Sequence, residues 1–406
     1  MSYIELLYCR FCDSRLEDDV INLGSSYPLA GGFMNSVKEF ENEEKYPLSL
    51  SFCKECKLLQ CKQIINSDIL FKKGYFYYSS MLNMLVKHFD EYAKELSIFV
   101  KKPNENLIVE IGCNDGVFLR PLKKYGFNVI GIDPSNTIKK CSDENFILYN
   151  DYFNEDLAKK IVLEHGKCDI ILSSNSFAHI DNMNNIFKGI KELLKIDGLI
   201  IIEVHNSKKI IDELQFDFIY HEHMTYYTVT SFYNLSLLYN FTLENVKFTD
   251  IHGSSMRIYL RNKKNVDKNY ENEYIENIIE NEKYLNNISI YKEYNKSLYN
   301  WKYEILNILK NYKKIYGYGS SGRTNIICNF LNIDLSEIID DAESKIGSYT
   351  PIFHKQIKSS SIIKENKPDL IIILSWPYSK DIIKNLKNIY QGKILIPLPN
   401  IKIIDC

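Results

Sequence analysis

Short apolar runs alternate with helical patterns through the middle of this chain. The runs predict buried strands at residues 107–111, 128–132, 146–148, 169–173 and 199–204. Apolar positions that recur at helical spacing predict helices at residues 81–100, 155–165 and 183–195. This alternation is typical of a doubly wound α/β sheet, and the run at 199–204 is apolar enough to be buried on both faces.

The turn after the first of these strands has the composition of a nucleoside site. It reads Glu110-Ile111-Gly112-Cys113-Asn114-Asp115-Gly116, and Asp133 closes the next strand. The glycines let a ligand approach the backbone, the following helix offers free N–H groups, and Asp133 can accept from both ribose hydroxyls. Because the spacing is E-x-G-x-x-x-G rather than G-x-G-x-x-G, the turn favours S-adenosylmethionine over a dinucleotide. The alternative is an ordinary glycine-containing turn.

Polar residues also follow the other predicted strands. Ligands of doubly wound sheets bind beyond the carboxyl ends of the strands, so we expect these residues at one rim, together with His179 and His205. The candidate cofactor-binding residues are Glu110, Gly112, Asn114, Gly116, Asp133, Asn150, Asp151 and Asn175.

A cluster of proton-transfer groups lies at Tyr220-His221-Glu222-His223. A carboxylate that accepts from one ring nitrogen of a histidine raises the basicity of the other nitrogen, so this cluster predicts a general base. If the segment is extended, His221 and His223 share one face, and if it turns, all four side chains can converge. The alternatives are a surface loop or, more weakly supported, a metal site.

Two Cys-x-x-Cys pairs lie near the start of the chain, Cys9 with Cys12 and Cys53 with Cys56. Each pair can wrap around Zn²⁺ through a tight turn, and four thiolates complete a closed structural site. Four buried free thiols are the alternative. Two pairs of matching spacing in a segment with little apolar core favour zinc.

A second glycine-rich turn lies in the last third of the chain. Residues 267–311 predict a polar, solvent-exposed pair of helices, followed by a strand that ends in Gly317-Tyr318-Gly319-Ser320-Ser321-Gly322. Asp340 and Asp341 close the next strand. Taken alone, this G-x-G-x-x-G predicts NAD and an NAD-dependent nucleotide-sugar oxidoreductase or isomerase. Rossmann-like domains also keep such turns as scaffold or for another phosphate.

The composition limits the class of protein. With 406 residues the chain should hold two or three domains, and the patterns divide it at residues 1–68, 69–265 and 266–406. A net charge of −2 argues against nucleic acid or anionic lipid as a partner. Without a leader or an apolar run that could span a bilayer, the chain is expected to be cytoplasmic, with its ten cysteines mostly thiols or ligands.

The order of these motifs resembles a known family, the S-adenosylmethionine-dependent C-methyltransferases that act on nucleotide-linked deoxysugars carrying a ketone. The resemblance implies three parts: a zinc-binding domain, a Rossmann-like methyltransferase domain and a C-terminal Rossmann-like α/β domain. Besides the cysteine pairs and the turn at Glu110, it rests on Tyr75-Phe76-Tyr77-Tyr78-Ser79-Ser80, Phe177-Ala178-His179-Ile180, Tyr220-His221-Glu222-His223, His252-Gly253-Ser254-Ser255-Met256-Arg257, Tyr316-Gly317-Tyr318-Gly319 and Ile338-Ile339-Asp340-Asp341.

The resemblance implies methyl transfer to a carbon next to a ketone. His223 matches the general base of the family, while His179, Glu222, Tyr220 and Tyr77 match residues that line its pocket. A neutral imidazole can remove an α-proton near pH 7 if a donor such as a tyrosine hydroxyl stabilises the enolate oxygen. The enolate then attacks the sulfonium methyl group in line.

The implied partner is a nucleotide-linked keto-sugar, expected to serve a bacterial surface polysaccharide. The candidate substrate-binding residues are Tyr75, Ser79, His221, Ser255, Arg257, Gly317, Gly319, Ser320 and Arg323. Ser254 stands where the family more often has a second glycine, and Arg323-Thr324 replaces its usual small residue and lysine. A non-catalytic zinc-bearing binding module is the remaining alternative, and the presence of the candidate cofactor and base residues counts against it. The oligomeric state stays open.

Overall fold

A computed structural model describes residues 3–26, 33–66, 70, 78–263, 272–351 and 353–406 of the chain. Two of the predicted site residues, Tyr75 and Tyr77, lie outside the described residues. Over the described residues the structure is a mixed α/β protein with two extended, largely parallel sheets, which confirms the predicted fold class.

The N-terminal part is built from short antiparallel strands. They are β1 Tyr3–Glu5, β2 Ile21–Ser26, β3 Tyr46–Phe52, β4 Leu59–Cys61 and β5 Gln63–Ile65. β1 pairs with β5, while β2, β3 and β4 form a second sheet in the order β4-β3-β2. The predicted limits of this part, 1–68, stay a prediction.

The central part follows the predicted alternation of strands and helices. In chain order it comprises α1 Asn83–Phe99, β6 Leu107–Ile111, α2 Leu119–Lys124, β7 Asn128–Ile132, β8 Ile147–Tyr149, α3 Glu155–His165, β9 Cys168–Ser174, α4 Met183–Leu193, β10 Leu194–His205, α5 Ser207–Asp212, β11 Thr225–Tyr226, α6 Val229–Leu238, β12 Thr242–Thr249 and β13 Ser255–Arg261. Within the described residues, β12-β13-β10-β9-β6-β7-β8 form a seven-stranded sheet. The β10-β9-β6-β7-β8 portion is parallel, and β12 and β13 join it as antiparallel strands.

Strand β10 shows why this sheet is buried on both faces. Ile200 and Ile202 pack with α3 and α4 on one face, while Ile201 packs with α1 and α2 on the other. Asp197 and Gly198 form a distortion inside β10, where the pairing of β10 with β9 shifts register between Leu194 and Leu199. Within this distortion, the N–H of Asp197 donates to the carbonyl of Asn262 at 2.7 Å.

Strand β11 belongs to a different sheet from its chain neighbours. Thr225 pairs with Gln60 and Tyr226 with Leu59, so β11 is the outer strand next to β4 in the N-terminal sheet. The segment that contains the predicted base therefore ends inside the sheet of the N-terminal part.

The C-terminal part forms a second doubly wound sheet. Its elements are α7 Glu273–Glu282, α8 Ile288–Leu309, β14 Ile315–Tyr318, α9 Gly322–Leu331, β15 Glu337–Ile339, β16 Ile357–Lys358, α10 Ile362–Glu365, β17 Leu370–Ile373, α11 Ser379–Leu386, β18 Lys393–Ile396 and β19 Lys402–Asp405. The strand order among the described residues is β16-β15-β14-β17-β18-β19, with β19 antiparallel. The order reverses between β14 and β17, which is where ligands of such sheets bind.

Short 3-10 helices connect several of these elements. They lie at Val37–Asn42, Ser79–Met81, Pro103–Glu105, Asn136–Glu144, Phe177–His179, Phe216–Phe218, Ile251–Gly253, Lys283–Asn286 and Trp376–Tyr378. In the described part of the chain, no helix combines the length and the apolar character that crossing a membrane requires.

Helix α8 departs from the predicted solvent-exposed connection. One of its faces is buried and packs against the C-terminal sheet and the N-terminal strands, through Tyr291, Tyr294, Leu298, Trp301, Ile305 and Leu309. The indole of Trp301 donates to the carbonyl of Pro397 at 2.8 Å. The polar composition was misleading because tyrosine and tryptophan bury large rings, and the polar tips of Tyr291 and Trp301 find backbone carbonyls as acceptors.

The turn that leads into β13 holds a serine in a glycine-like conformation. Ser254 has φ 133° and ψ 118°, next to Gly253 at φ 90°. The backbone of Ser254 is fixed there, because its carbonyl accepts from the N–H of Asn206 and its own N–H donates to Ile251. A side chain at such a φ is strained.

We expect Ser254→Gly to raise the free energy of unfolding by about 1 kcal/mol, because relief of backbone strain exceeds the added flexibility of the unfolded chain. The measurement is the midpoint of chemical or thermal unfolding. Gly253→Ser is the matched control, since it adds a side chain at a positive φ and should destabilise. A Ser254→Gly protein less stable than the wild type would contradict the strain.

Candidate active site

The four N-terminal cysteines converge on one point. The Sγ atoms of Cys9 and Cys56 are 3.4 Å apart, those of Cys12 and Cys53 are 3.5 Å apart, and all four lie within 4.8 Å of one another. A tetrahedral zinc with bonds of about 2.3 Å separates its sulfur ligands by about 3.8 Å, so the geometry fits a closed Zn²⁺ site. Among the described residues this is the group of His, Cys, Asp and Glu side chains that could hold a metal ion.

The two cysteine turns have the same backbone shape. Asp13 and Lys57, each directly after the second cysteine of its pair, have φ 54° and 62°. Their N–H groups donate to the carbonyls of Cys9 and Cys53, at 3.2 and 3.0 Å. Gln60 adds a hydrogen bond from Nε2 to the Cys9 sulfur at 3.2 Å. Such bonds to the sulfurs orient the ligands of a metal.

The first cysteine turn also contacts the central part. Arg10 Nε donates to Asp181 Oδ1 at 2.9 Å, and the Arg10 side chain is buried. The ring of Phe11 lies 5.9 Å from that of Tyr227. The metal cluster is therefore joined directly to loops at the rim of the central sheet.

The predicted cofactor turn has the form that a close ligand needs. Gly112 has φ 82°, and a Cβ at this position would lie 1.9 Å from the Ser176 hydroxyl. The N–H of Asn114 donates to Asp133 Oδ2 at 2.8 Å, which ties the first turn to the end of β7. Asn114 Oδ1 in turn accepts from the N–H of Ser79 at 3.1 Å, so this predicted substrate residue lies at the cofactor turn. Gly116 has φ 75° and completes the turn.

Two acceptor atoms at this rim lack partners. Among the described residues, Glu110 Oε2 and Asn175 Oδ1 are buried and have no hydrogen-bond partner. Burial, followed by the nearby Asp133 charge, raises the pKa of Glu110. Buried acceptors without donors are costly, so a ligand that brings N–H or O–H groups would satisfy them.

The other predicted cofactor residues lie at the same rim. Asn150 donates from Nδ2 to the carbonyls of Asp133 and Ser135, both at 2.9 Å. The Asp133 carboxylate accepts from Ser135, and burial raises the pKa of Asp133. Asp151 is exposed and caps its neighbour Tyr152. The structure thus gathers the predicted cofactor residues, while their individual ligand contacts stay predictions.

The predicted base is buried in a ring of aromatic and imidazole groups. His223 Nδ1 lies 3.1 Å from the carbonyl of Phe218, and its Nε2 lies 2.7 Å from the Tyr220 hydroxyl. The rings of His179 and His223 are 5.0 Å apart. His179 Nδ1 lies 2.6 Å from the carbonyl of Glu222. The segment turns and brings the side chains of Tyr220 and His223 to His179, which contacts Glu222 at its backbone carbonyl. Backbone carbonyls, rather than the predicted carboxylate, therefore orient both rings.

The hydrogen bonds fix the state of both imidazoles. A carbonyl only accepts, so the Nδ1 atoms of His223 and His179 carry the protons. Burial lowers the pKa of His223 well below its usual value, and burial lowers that of His179 to about 4. Both rings are therefore neutral near pH 7, with the lone pair on Nε2.

Three predicted substrate residues have structural partners. His221 Nε2 lies 2.9 Å from the carbonyl of Pro47 in the N-terminal sheet, and Ser255 donates to the carbonyl of Ile251. Arg257 binds Glu203 at 2.5 Å and stacks 3.3 Å from the ring centre of Tyr92. Their roles toward a substrate stay predictions.

The second glycine-rich turn is held by its own neighbours. Gly319 has φ 100°, and a Cβ there would lie 2.1 Å from the Ser375 hydroxyl. The N–H of Ser320 donates to Asp340 at 2.8 Å, and Lys345 binds the same carboxylate oxygen at 3.0 Å. The acid that would bind the ribose of a dinucleotide is thus already paired with a cation.

Asp217 joins the C-terminal part to the predicted base segment, and the sequence analysis missed it. Its Oδ2 accepts two bonds from Arg323, at 2.8 and 2.6 Å, and one from the Trp376 indole at 2.9 Å. Asp217 is buried, and the Arg323 guanidinium also lies 3.6 Å from the ring centre of Phe218. The sequence signal was an acid between two phenylalanines, Phe216 and Phe218, because an acid buried among apolar side chains requires a cation.

His205 and His252 join His179 and His223 in one group of neighbouring rings, the imidazole cluster. The ring of His205 lies 5.3 Å from that of His223 and 5.7 Å from that of His252. The sequence placed His205 at the rim, but it offered no way to bring His252 beside it, since strand order is a tertiary property.

Three family descriptions match successive parts of the chain. Residues 9–71 match "Putative zinc binding domain", residues 85–246 match "Methyltransferase domain", and residues 250–399 match "C-methyltransferase C-terminal domain". The last of these matches begins before β13, so it includes one strand of the central sheet, and the predicted domain limits stay a prediction.

Individual proteins are similar to this chain to different extents. C-methyltransferase NovU of Streptomyces niveus is 25% identical over 98% of this chain and 96% of its own length. Ubiquinone biosynthesis O-methyltransferase of Bartonella tribocorum is 30% identical over 26% of this chain and 43% of its own length. The structure of an S-adenosylmethionine dependent methyltransferase from Mesorhizobium loti has a TM-score of 0.35 and 14% identity, covering 43% of this chain and 99% of that one.

We expect Cys53→Ser to abolish zinc binding, which should be about one ion per chain in the wild type, and to unfold the N-terminal part. The free energy of unfolding should fall by at least about 3 kcal/mol, because metal binding contributes to folding. Metal analysis and unfolding curves on one sample measure both. Cys406→Ser, outside the cluster, should keep its zinc. A zinc-free Cys53→Ser protein with wild-type stability would contradict the assignment.

We expect Asp217→Ala to lower the free energy of unfolding by about 3 kcal/mol, because it leaves the Arg323 charge and the Trp376 N–H without their shared acceptor. Asp217→Asn, which keeps one acceptor oxygen, should cost less. Asp212→Ala is the control, since its partner Lys208 is on the surface and such pairs contribute less than about 1 kcal/mol. Equal losses of unfolding free energy in Asp217→Ala and Asp212→Ala would contradict a stabilising role for the contacts of Asp217 with Arg323 and Trp376.

Proposed function

We propose that this chain methylates a carbon adjacent to the ketone of a nucleotide-linked deoxysugar. The proposal starts from its similarity to S-adenosylmethionine-dependent C-methyltransferases that have a zinc-binding N-terminal part. The product would enter a bacterial surface polysaccharide. The observation that carries the proposal is the buried imidazole of His223, whose Nδ1–H is held by the carbonyl of Phe218 so that the Nε2 lone pair accepts a proton donor, at present the Tyr220 hydroxyl.

The chemistry proceeds through an enolate. His223 Nε2 takes the α-proton, and the electrons of the broken C–H bond form the enolate with the ketone oxygen. S-adenosylmethionine supplies the electrophilic methyl group. With S-adenosylmethionine bound at the rim, the α-carbon would take the methyl group in line as the S–C bond breaks, and the electron pair of that bond would stay on the sulfur of S-adenosylhomocysteine. Tyr220, whose hydroxyl now occupies Nε2, must yield that position to the substrate.

The cofactor fits the unpartnered acceptors of the central rim. Glu110 Oε2 and Asn175 Oδ1 require donors, and the ammonium group, ribose hydroxyls and adenine amine of S-adenosylmethionine are all donors. Gly112 and Gly116 hold the turn in its positive-φ shape, where a Cβ would meet Ser176 or Cys141. Asp133 lies beside the turn through its bond from Asn114, so the ribose would meet its carboxylate.

The C-terminal turn is assigned to the nucleotide of the substrate. Ser320 Oγ is buried without a partner among the described residues, so a phosphate oxygen would satisfy it. Gly319 holds the turn at φ 100° against Ser375, and Gly317 packs against Leu335 and Leu374, so their contacts with a phosphate stay predictions. An NAD-dependent oxidoreductase or isomerase is the alternative. It would require Asp340 to exchange Lys345 for a ribose, and no observation favours that exchange.

The test is a calorimetric titration of purified protein with S-adenosylmethionine, with NAD as the comparison and zinc measured on the same sample. Heat from S-adenosylmethionine and none from NAD would support the proposal. Keto-sugar nucleotides would then be screened by mass spectrometry for the addition of one methyl group. NAD binding without S-adenosylmethionine binding would overturn the proposal.

We expect His223→Asn to lower kcat by about 10²- to 10⁴-fold, the usual contribution of a general base, with unchanged binding of S-adenosylmethionine. The measurements are single-turnover methylation and calorimetry. His165→Asn, at the last residue of α3 and bonded to the Tyr149 hydroxyl, should keep wild-type turnover. Because burial lowers the pKa of His223, the wild-type rate should stay flat as pH falls past 6.5 and decline only at lower pH. Wild-type turnover in His223→Asn would contradict the base assignment.

A further inference from the structure

Enolate chemistry requires a hydrogen-bond donor for the ketone oxygen as well as a base. The imidazole N–H groups of His223 and His179 are both directed at backbone carbonyls, of Phe218 and Glu222. The Tyr220 hydroxyl donates to His223 Nε2. These bonds commit the two N–H groups. The Tyr220 hydroxyl is released only when it yields Nε2 to the substrate, so a donor that is already unpaired would polarise the ketone oxygen beside it.

His205 has the position and the atom for this task. It ends β10, and its ring centre lies 5.3 Å from that of His223 and 4.4 Å from that of Phe218. Its Nε2 atom is buried and has no hydrogen-bond partner among the described residues. A buried polar atom without a partner is costly, and a ligand oxygen that supplies the partner recovers that cost.

We propose that His205 is a second catalytic imidazole, which donates from Nε2–H to the ketone oxygen and to the enolate oxygen that forms from it. This inference rests on the proposed function. An α-carbon and its ketone oxygen are about 2.4 Å apart, as bond lengths dictate. A base nitrogen about 3 Å from that carbon and a donor nitrogen about 2.9 Å from that oxygen therefore lie roughly 4–6 Å apart, and two imidazoles whose ring centres are 5.3 Å apart can place their nitrogens in this range.

The protonation state of His205 suits a hydrogen-bond donor. Burial, followed by the neighbouring His223, His252 and Arg323, lowers the pKa of His205 well below its usual value. A neutral imidazole can donate one N–H without first carrying a charge, and it does not compete with His223 for the α-proton while its Nε2 is protonated. A neutral histidine that polarises a carbonyl is an established arrangement in enzymes.

The arrangement also raises a different role, because His205 lies between His223 and His252. A relay would carry the abstracted proton from His223 through His205. A donor and a relay make opposite demands on the side chain, since a donor only needs an N–H at the Nε2 position and a relay must gain and lose a proton. Glutamine, whose Nε2 amide overlays that of histidine and does not titrate, separates the two roles.

The experiment compares wild type, His205→Gln and His205→Leu on a keto-sugar nucleotide substrate. Exchange of the α-proton in D₂O is followed with S-adenosylhomocysteine bound, and methylation is followed with S-adenosylmethionine. We expect His205→Leu to lower both rates by about 10²-fold, the usual loss for one such donor, with cofactor affinity unchanged. His205→Gln should recover both rates to within about tenfold of wild type.

The outcomes separate this inference from the proposed function. Wild type that neither exchanges nor methylates a keto-sugar would mean that the proposed function fails. Wild-type rates in His205→Leu, or His205→Gln as slow as His205→Leu, would overturn the donor role and leave the proposed function standing. If His205→Leu does not fold, the ¹⁵N spectrum of the wild type still decides, because the donor role requires the Nε2–H tautomer of His205 and an Nδ1–H tautomer would overturn it.

Discussion

The organisation of this protein depends on one buried segment, residues 216–226, which takes hydrogen-bond partners from all three parts of the chain. Asp217 takes its partners from the C-terminal part, through Arg323 and Trp376. In the N-terminal sheet, the carbonyl of Pro47 lies next to His221 Nε2, and Gln60 pairs with Thr225. The central part supplies His179, which donates to the carbonyl of Glu222, and the carbonyl of Ala178, which accepts from Met224. Because an unpaired buried polar group is expensive, the segment keeps this shape only when all three parts surround it.

This constraint gives the zinc site a consequence beyond local folding. The four cysteines provide no open position for chemistry, yet the turn between Cys9 and Cys12 presents Arg10 and Phe11 to Asp181 and Tyr227. Asp181 lies two residues after His179. Loss of the metal would release the backbone that aims Arg10, so the position of the imidazole cluster depends on a metal that takes no part in its bonds.

The sequence predicted what is local and missed what is distant. Strands 107–111 and 128–132 and helix 155–165 match the structure, since short apolar runs and helical periodicity are properties of neighbouring residues. The polar residues at strand ends gathered at one rim because parallel strands end together. The pairing of β11 with β4, the bond from Arg323 to Asp217 and the burial of α8 join residues more than 60 positions apart, and no periodicity encodes such contacts. Tyr75 and Tyr77 lie outside the described residues, so their assigned roles rest on the resemblance alone.

The departure at Arg323 bears on how a nucleotide-linked substrate can be held. An arginine in the first turn of α9, after a glycine-rich loop, would ordinarily offer a positive charge to a diphosphate. Here its guanidinium is bonded to the buried Asp217 and lies against Phe218 and Trp376, so most of its charge is compensated within the protein. A phosphate at this loop must then rely on backbone N–H groups, on Ser320 and on Lys345, whose amine already serves Asp340. In the proposed function, recognition of the nucleotide thus depends on shape and neutral donors more than on net charge, and the arginine instead fixes the segment that carries the base.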